Sequence, residues 1–407
     1  MVQVKDLTEL KLEDLWREVK WDEEDWWGDV KQETLRTVKR LLESAMREEL
    51  LEQLCAGRYR RTQLRRGYRN GYRHRHLLTE LGLVEHLRVP RDREGDYQPT
   101  VVKRYQHSQE RVNNLIRELF LAGVSTRRVG EVLAPVLGKA PSPQTVSRVT
   151  RSLDVEVRRF HRRPLDDRYS YLLLDGITLK MKGATGVKKR LVLCAYGITP
   201  EGWREMISFR QAKAESEAQW EAFLQGLYQR GLEGKALAMV VSDGNPGLHR
   251  ALDMVYPYVA RQRCWVHKLR NVAAKLPKRV QEPCLKGAKA IYQAPTRREA
   301  VVRFRDWACQ WRSSQPKAVR CLESDLDELL SFLSCPKAHW PKVRTTNAIE
   351  RAFREVRRRT RPMSCFQNPA SVDRIIYGVI NHLNSTWKET GRRSPYQNLH
   401  TFLDTNP

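Results

Sequence analysis

The chain has 407 residues, 41% of them hydrophobic, and sets 74 lysines and arginines against 48 aspartates and glutamates for a formal net charge of +26. That length allows two or three domains with real cores, and that charge on a folded chain implies a polyanionic partner, most simply nucleic acid. Eight cysteines without a Cys-x-x-Cys pair argue for reduced thiols and against a disulfide framework. No apolar run reaches the ~18 residues of a membrane span, and the amino terminus lacks a secretory pattern, so a cytoplasmic protein is expected.

The charge is uneven. Residues 1–50 hold 14 acids and 9 bases, so the rest of the chain carries all of the positive excess. Residues 1–56 read as an acidic helical segment. Leu35, Val38, Leu42, Met46, Leu50 and Leu54 fall at helical steps and form one apolar stripe. A core-facing helix is the plainer reading of that stripe, and a dimer contact the sharper one. Residues 57–75 contain eight arginines, three tyrosines and no acid. Arginine interleaved with tyrosine suits phosphate contact combined with stacking, which makes Arg60, Arg61, Arg65, Arg66, Arg69 and Arg73 candidate DNA contacts. Asn70-Gly71 is a tight-turn signal. Leu77–Arg88 reads as a small hairpin around Gly82 that presents the basic loop.

Residues 107–153 read as helical. Leu115, Leu119, Phe120 and Leu121 mark one helix. Thr126–Leu137 is a second, with Val129, Val132, Leu133 and Leu137 apolar. Ser142 is a good N-cap and Pro143 a good first residue for a third. That third helix buries Val146, Val149 and Leu153 and exposes Gln144, Thr145, Arg148 and Arg151. The pair has the form of a helix-turn-helix with a groove-compatible face, although two short helices are also ordinary packing. His161–Tyr169 reads as a charged linker.

Strands follow. Tyr171–Leu174 ends at Asp175-Gly176, Leu191–Ile198 is a second strand and Trp203–Phe209 a third. Residues 215–230 form a helix with Trp220, Phe223, Leu224 and Leu227 on one face. Ala236–Val241 is a short buried strand that ends at Ser242-Asp243-Gly244. Asp243 thus sits at a carboxyl strand end, where open sheets place their chemistry; such aspartates are as often turn or cap residues. Pro246 starts a short helix, and Tyr258–Arg263 leads into Cys264-Trp265-Val266-His267. Residues 268–340 read as an all-helical insertion. Asn347 with Glu350 has the form of a capping box, and Arg351, Arg354, Arg357, Arg358 and Arg359 follow on the same helix. Residues 370–388 make a last helix.

If the first and fourth strands are neighbours, Asp175 and Asp243 lie side by side. Three carboxylates meeting at one point repel unless divalent cations neutralise them, and hard oxygen ligands suit Mg²⁺ or Mn²⁺. Two such ions ~4 Å apart clamp the attacking and leaving oxygens of a phosphodiester displacement.

The Asp175-Gly176-Ile177 segment, the VVSDGNPGL block (240–248), the QRCWVHKLRN block (262–271) and the RTTNAIER block (344–351) resemble the Mutator-type transposases, in their bacterial insertion-sequence branch. RNGYR…PRDR near residues 69–93 is similar to that family's amino-terminal region, and the likeness covers roughly residues 40–390. The resemblance implies a ribonuclease-H-like catalytic core interrupted before its last acid by the helical insertion. It makes Asp175, Asp243 and Glu350 the metal-binding triad, with two Mg²⁺ or Mn²⁺ ions. It also implies cleavage at terminal inverted repeats, strand transfer into target DNA, a homodimer on paired ends, and a nucleoid-associated protein in a bacterium. Cys264 and His267 match the family's Cys-x-x-His motif. Active-site support fits them, with Trp265 stacked on an unpaired base or simply in the core; a Zn²⁺ site would need a second pair, such as Cys335 and His339. Lys268, Arg270, Asn271, Arg351, Arg354 and Arg358 are candidate phosphate contacts. A non-catalytic helix-turn-helix regulator and a structure-selective nuclease on the same core remain the competing functions.

The chain thus divides into the acidic helical segment 1–56, the basic loop and hairpin 57–106, and the helix-turn-helix with linker 107–165. The first part of the core is 166–267, the insertion 268–343, the last part of the core 344–390, and the tail 391–407.

Overall fold

A computed structural model describes residues 26–390 apart from 58, 61, 104, 105, 184, 185 and 364. The chain divides into two compact units, residues 1–151 and 152–407. Residues 1–25, Arg61 and the tail 391–407, on which some of the expectations fall, lie outside the described residues.

In the first unit, α1 (Trp26–Leu54) turns its apolar stripe inward. Met46 is buried with Leu77, Val84, Leu87 and Val89, and Leu35, Val38 and Leu42 pack against the same cluster. The stripe is therefore core-facing. Glu43 is buried on this helix and accepts from the backbone N–H and the guanidinium of Arg88. Strands β1 (Arg69–Thr79) and β2 (Gly82–Asp92) form an antiparallel hairpin. It is longer than Leu77–Arg88, because Arg69–Arg75 is itself strand. Asn70-Gly71 does not reverse the chain. Gly71 takes φ +65° where the register skips between Arg69 and Tyr72, the form of a glycine bulge.

Helices α2 (Glu110–Leu121), α3 (Thr126–Leu137) and α4 (Pro143–Thr150) close the unit. Val112, Ile116, Phe120, Val129, Leu133, Leu137 and Val146 share one core. Leu115 and Val132, expected inside, are 43% and 46% exposed; Val112 and Ile116 form the buried stripe instead. Ser142 caps α4 by accepting from Thr145 N–H, with Pro143 in the first turn, as its residue types favour. α4 stops at Thr150, short of Leu153.

The second unit opens with α5 (Leu153–Arg162), which takes in only the first two residues of the expected charged linker His161–Tyr169. Leu153 and Val157, four apart, turn inward, and Asp154 receives both ends of the Arg374 guanidinium at 2.6 and 2.9 Å. Strands β3 (Tyr171–Gly183), β4 (Gly186–Ile198) and β5 (Arg204–Ala212) are followed by helix α6 (Glu217–Tyr228), strand β6 (Met239–Ser242), helix α7 (Pro246–Val255) and strand β7 (Ala260–Arg263). The sheet order is β5-β4-β3-β6-β7. β3, β4 and β5 pair antiparallel, while β3–β6 and β6–β7 pair parallel, so this is a mixed sheet.

One sheet face, with Leu172, Leu174, Leu193, Ala195 and Ile207, packs on Trp220, Phe223, Leu224 and Leu227 of α6 and on Leu248, Ala251 and Leu252 of α7. Strand alternation then leaves Tyr171, Leu173 and Asp175 on the opposite face. The first strand does not end at Asp175. It continues with Ile177, Leu179 and Met181 buried and Thr178, Lys180 and Lys182 exposed.

Past β7 the chain is helical: α8 (Trp265–Ala273), α9 (Lys278–Tyr292), α10 (Arg297–Arg312), α11 (Pro316–Glu323), α12 (Leu326–Leu329) and α13 (Trp340–Val343). Then α14 (Asn347–Thr360) and α15 (Pro369–Glu389) return to the sheet. Asn347 is the first helical residue of α14 rather than its cap; Thr346 precedes it and makes no side-chain cap bond. The expected capping box is therefore absent, and Glu350 is not occupied at the helix end.

Candidate active site

The site begins with two strands. Tyr171 pairs with Met239 and Leu173 with Val241; continuing that parallel register sets Asp175 opposite Asp243. Both lie on the face that α6 and α7 leave free. Asp243 leaves β6 through a turn its sequence demands. Gly244 takes φ +88°, and a Cβ there would meet Arg263 at 2.9 Å, so glycine is required. Asn245 then caps α7, its Oδ1 accepting from Gly247 N–H at 2.8 Å and Leu248 N–H at 3.2 Å. Asp243 Oδ1 accepts from Asn245 N–H at 3.1 Å, which fixes the carboxylate at the strand end. Asp175 Oδ1 accepts from Gly176 N–H at 2.7 Å. Burial, reinforced by the charges of Asp243 and Glu350, pushes the Asp175 carboxyl up to about 7, against the Gly176 N–H and His267. Like charges within reach of one another account for part of that shift.

Glu350 arrives from the other side of the helical block. Its Oε1 stands 3.6 Å from His267 Nε2 and 4.0 Å from Arg270 Nη1. The segment before α14 is tied to α8 by Cys264 and Thr346. Cys264 is fully buried, and its N–H extends the sheet by donating to Ser242 O at 2.7 Å. Its sulfur accepts from the N–H and the hydroxyl of Thr346, each at 3.3 Å. Thr346 Oγ1 also stands 3.5 Å from His267 Nδ1, and Trp265 N–H donates to Arg344 O at 3.1 Å. Burial raises the Cys264 thiol, but hydrogen bonds from His267 and Thr346 outweigh it and bring the thiol below its usual range. The Cys264 hydrogen bond first, and then the charges of Cys264, Asp175 and Asp243, hold His267 up at about 9. His267 therefore faces the acid cluster as a cation.

Some expected contacts fall elsewhere. Trp265 is 1% exposed; its indole N–H donates to Leu329 O at 2.7 Å and its ring lies 5.0 Å from that of Tyr292. It is a core tryptophan and presents no face to a base. Lys268 is 7% exposed and bonds Asp325 and Cys321 O, so it holds the helical block together and does not reach a phosphate. Arg270, Asn271, Arg351, Arg354 and Arg358 are exposed, with Arg358 paired to Glu355 at 3.0 Å. The second pair considered for zinc is engaged elsewhere, His339 Nδ1 lying 2.7 Å from the Tyr171 hydroxyl. Among the described residues no three His, Cys, Asp or Glu side chains stand close enough to hold one ion.

Two residues escaped the sequence reading. Nothing singled out Thr346 within the RTTNAIER block. Glu215, in the loop before α6, has its carboxyl raised by burial and by the charge of Asp243. It is a fourth acid within reach of the cluster, and nothing in the polar run Lys213–Ser216 marks it.

In the first unit, Arg60, Arg66, Arg73, Gln144, Arg148 and Arg151 are exposed, while Arg65, Arg69 and Thr145 are half-buried. Burial, then the charges of Arg148, Arg75 and Arg73, lower His107 below its usual range. His107 thus lies within electrostatic reach of both the basic strand β1 and α4.

A mixed α/β chain with a net charge of +26 belongs to the class of proteins suited to a polyanionic partner. Comparison with known proteins gives the lineage. A family model described as "Transposase, Mutator family" matches residues 13–390. The transposase for insertion sequence element ISRM5 of Rhizobium meliloti is 34% identical over 364 residues, 89% of this chain and 90% of that one. The transposase for IS256 in transposon Tn4001 of Staphylococcus aureus is 34% identical over 370 residues, 90% and 93% of the two chains. The transposase for IS905 of Lactococcus lactis is 31% identical over 348 residues, 84% and 88%. The chain belongs to the Mutator family of transposases.

Proposed function

We propose that this chain is the transposase of a bacterial insertion sequence, and that Asp175, Asp243 and Glu350 carry out its DNA cleavage and strand transfer. The observation that carries this is the register of β3 on β6, which sets two carboxylates side by side with Glu350 in electrostatic reach. The order β5-β4-β3-β6-β7, three antiparallel strands followed by two parallel ones, supports a ribonuclease-H-like core. The pair α3–α4, with Arg148 and Arg151 outward, supports a helix-turn-helix that reads the terminal inverted repeats.

An all-oxygen donor set, half-buried and mutually repelling, fits Mg²⁺ or Mn²⁺ better than a softer metal. Asp175, Asp243 and Glu350 do not stand close enough here to hold one ion; to hold two they would draw together, Glu350 turning from its present partners His267 and Arg270. When bound, the ions supply Lewis-acid activation of the attacking hydroxyl and stabilisation of the leaving 3′-oxygen. The chain's own residues do the rest. Asn245 N–H and Gly176 N–H orient the two aspartates. Cys264 and Thr346 fix α14 to α8 so that Glu350 faces them. His267 and Arg270 place positive charge beside the acids, where a phosphate would lie. A homodimer on paired ends, working on chromosomal DNA in the bacterial cytoplasm, completes the reading.

The test is divalent-dependent nicking of a duplex that carries the DNA flanking this gene, by the parent and by Asp243→Ala. Loss of product in the variant supports the assignment, and equal products from both remove it. Joining of a free 3′-hydroxyl end to plasmid separates transposase from nuclease, because a nuclease cuts without joining.

A further inference from the structure

A cavity of about 480 Å³ opens on the flank of α14, lined by Asn347 and Ala348 before Glu350 and by Arg351, Ala352, Arg354 and Glu355 after it. Arg204 of β5, Lys342 of α13, and Arg351 and Arg354 of α14 line it, with Tyr196 of β4 and Trp387 of α15 as an aromatic wall. None of the four cations forms an ion pair among the described residues, and Arg204 Nε is buried without a hydrogen-bond partner. Elsewhere in this unit, Arg374 has Asp154 and Arg163 has Glu205, while Arg230 is held by the carbonyls of Phe160 and His161 and by the Ser208 hydroxyl. The acid that lines this cavity, Glu355, is engaged by Arg358 and Arg359 at 3.0 and 2.6 Å. Burial, and then the charges of Arg351 and Arg204, push the Lys342 ammonium below its usual range. The Arg204 guanidinium lies over the Trp387 ring at 5.0 Å, and Tyr196 meets that ring edge-on at 5.7 Å.

Four cations around one cavity raise the local positive potential and attract an anion. The size falls in the ~300–1,000 Å³ range of pockets for small ligands, too small for a duplex. Phosphate-binding cations beside an aromatic surface are the pairing that single-stranded nucleic acid uses. We infer that this cavity takes one unpaired nucleotide of a DNA strand, with its phosphate on Arg204, Lys342, Arg351 and Arg354 and its base against Trp387. The inference rests on the DNA-processing reading above and deepens it.

The experiment uses the full chain and a single-stranded oligonucleotide of about ten nucleotides, within the usual site sizes, carrying 5-iodouracil. Irradiation is expected to label the peptide that contains Trp387. In a parallel binding titration, the double variant Arg204→Gln/Lys342→Gln is expected to lose about tenfold in affinity for the unpaired strand and under about twofold for a duplex of the same length. Its single-strand salt slope should fall by about 0.7 for each cation removed. Labelling only at other peptides, or equal losses for unpaired and paired DNA, overturns the inference. The labelling, made on the parent chain, decides even if Arg204→Gln/Lys342→Gln fails to fold. Failure here with intact Asp243-dependent nicking by the parent sinks only the cavity. Labelling at Trp387 without such nicking sinks the catalytic assignment instead.

Discussion

His267 Nε2 stands 3.6 Å from Glu350 Oε1, and its Nδ1 stands 3.5 Å from the Thr346 hydroxyl. One imidazole therefore touches both the acid of α14 and the residue that anchors α14 to Cys264. Glu350 is oriented through α8, so α8 is part of the site's frame although it carries none of the three acids.

The first consequence concerns that frame. His267→Asn should cut the rate of nicking about 10- to 100-fold, the usual loss when a group that orients a ligand is removed. Duplex affinity should stay within about twofold. Single-turnover nicking beside a binding titration checks this; a loss confined to affinity would place His267 on the DNA and not on Glu350.

Gly244→Ala should destabilise the second unit by about 1–3 kcal/mol, because the position holds φ +88° and the new methyl would crowd Arg263. Thermal melting reads the loss. An unchanged melting temperature would mean that the turn after Asp243 relaxes freely.

Lys268 should behave as a residue of the interior. It and Asp325 are nearly buried and bonded to each other. Lys268→Ala should cost about 3 kcal/mol of stability, as when one partner of a buried pair is lost. The salt slope of DNA binding should not move; a reduced slope at unchanged stability would return Lys268 to the phosphate contacts.

The histidine of α5 gives a pH dependence. Burial, and then the charge of Arg230, lower His161 to about 4. The folded value lies below the unfolded one, near 6.5. Stability from this group is thus full above about pH 6.5 and is lost as pH falls toward 4, by at most ~1.4 kcal/mol per pH unit. Denaturant titrations of the parent and His161→Gln across that window should show a shallower decline in the variant. Parallel curves would show that His161 titrates as it does in the unfolded chain.

On the first unit, Arg73→Gln and Arg148→Gln should each lower the log–log salt slope of duplex binding by about 0.9, one released counterion per phosphate contact. A slope unchanged in both variants would separate the patch around His107 from DNA.

Local signals nominated the three acids: an apolar run broken by Asp-Gly twice, and a glutamate in a segment dense with arginine. What Asp-Gly concealed was that β3 continues. Gly176 sits within an alternation of Ile177, Leu179 and Met181 with Thr178, Lys180 and Lys182, which a turn reading passes over. α5 was hidden by its charges; only Leu153 and Val157 mark its inner face, and Asp154 gains its partner from Arg374 far along the chain. Trp265 and Lys268 looked available because their neighbours are polar. They are buried by α11 and α12, whose position over α8 is set by tertiary packing and leaves no local trace. The family resemblance supplied the joining of Glu350 to the aspartates, which no spacing of single residues contains.

The most direct test replaces the divalent cation with Fe²⁺ in the protein–DNA complex and generates hydroxyl radicals with ascorbate and peroxide. Radicals made at a bound ion cut the backbone beside its ligands. Cleavage should cluster at residues 175, 243 and 350, be competed by Mg²⁺ and vanish in Asp243→Ala. Cuts that miss any of the three segments, or that persist in the variant, would contradict a cation site shared by these acids.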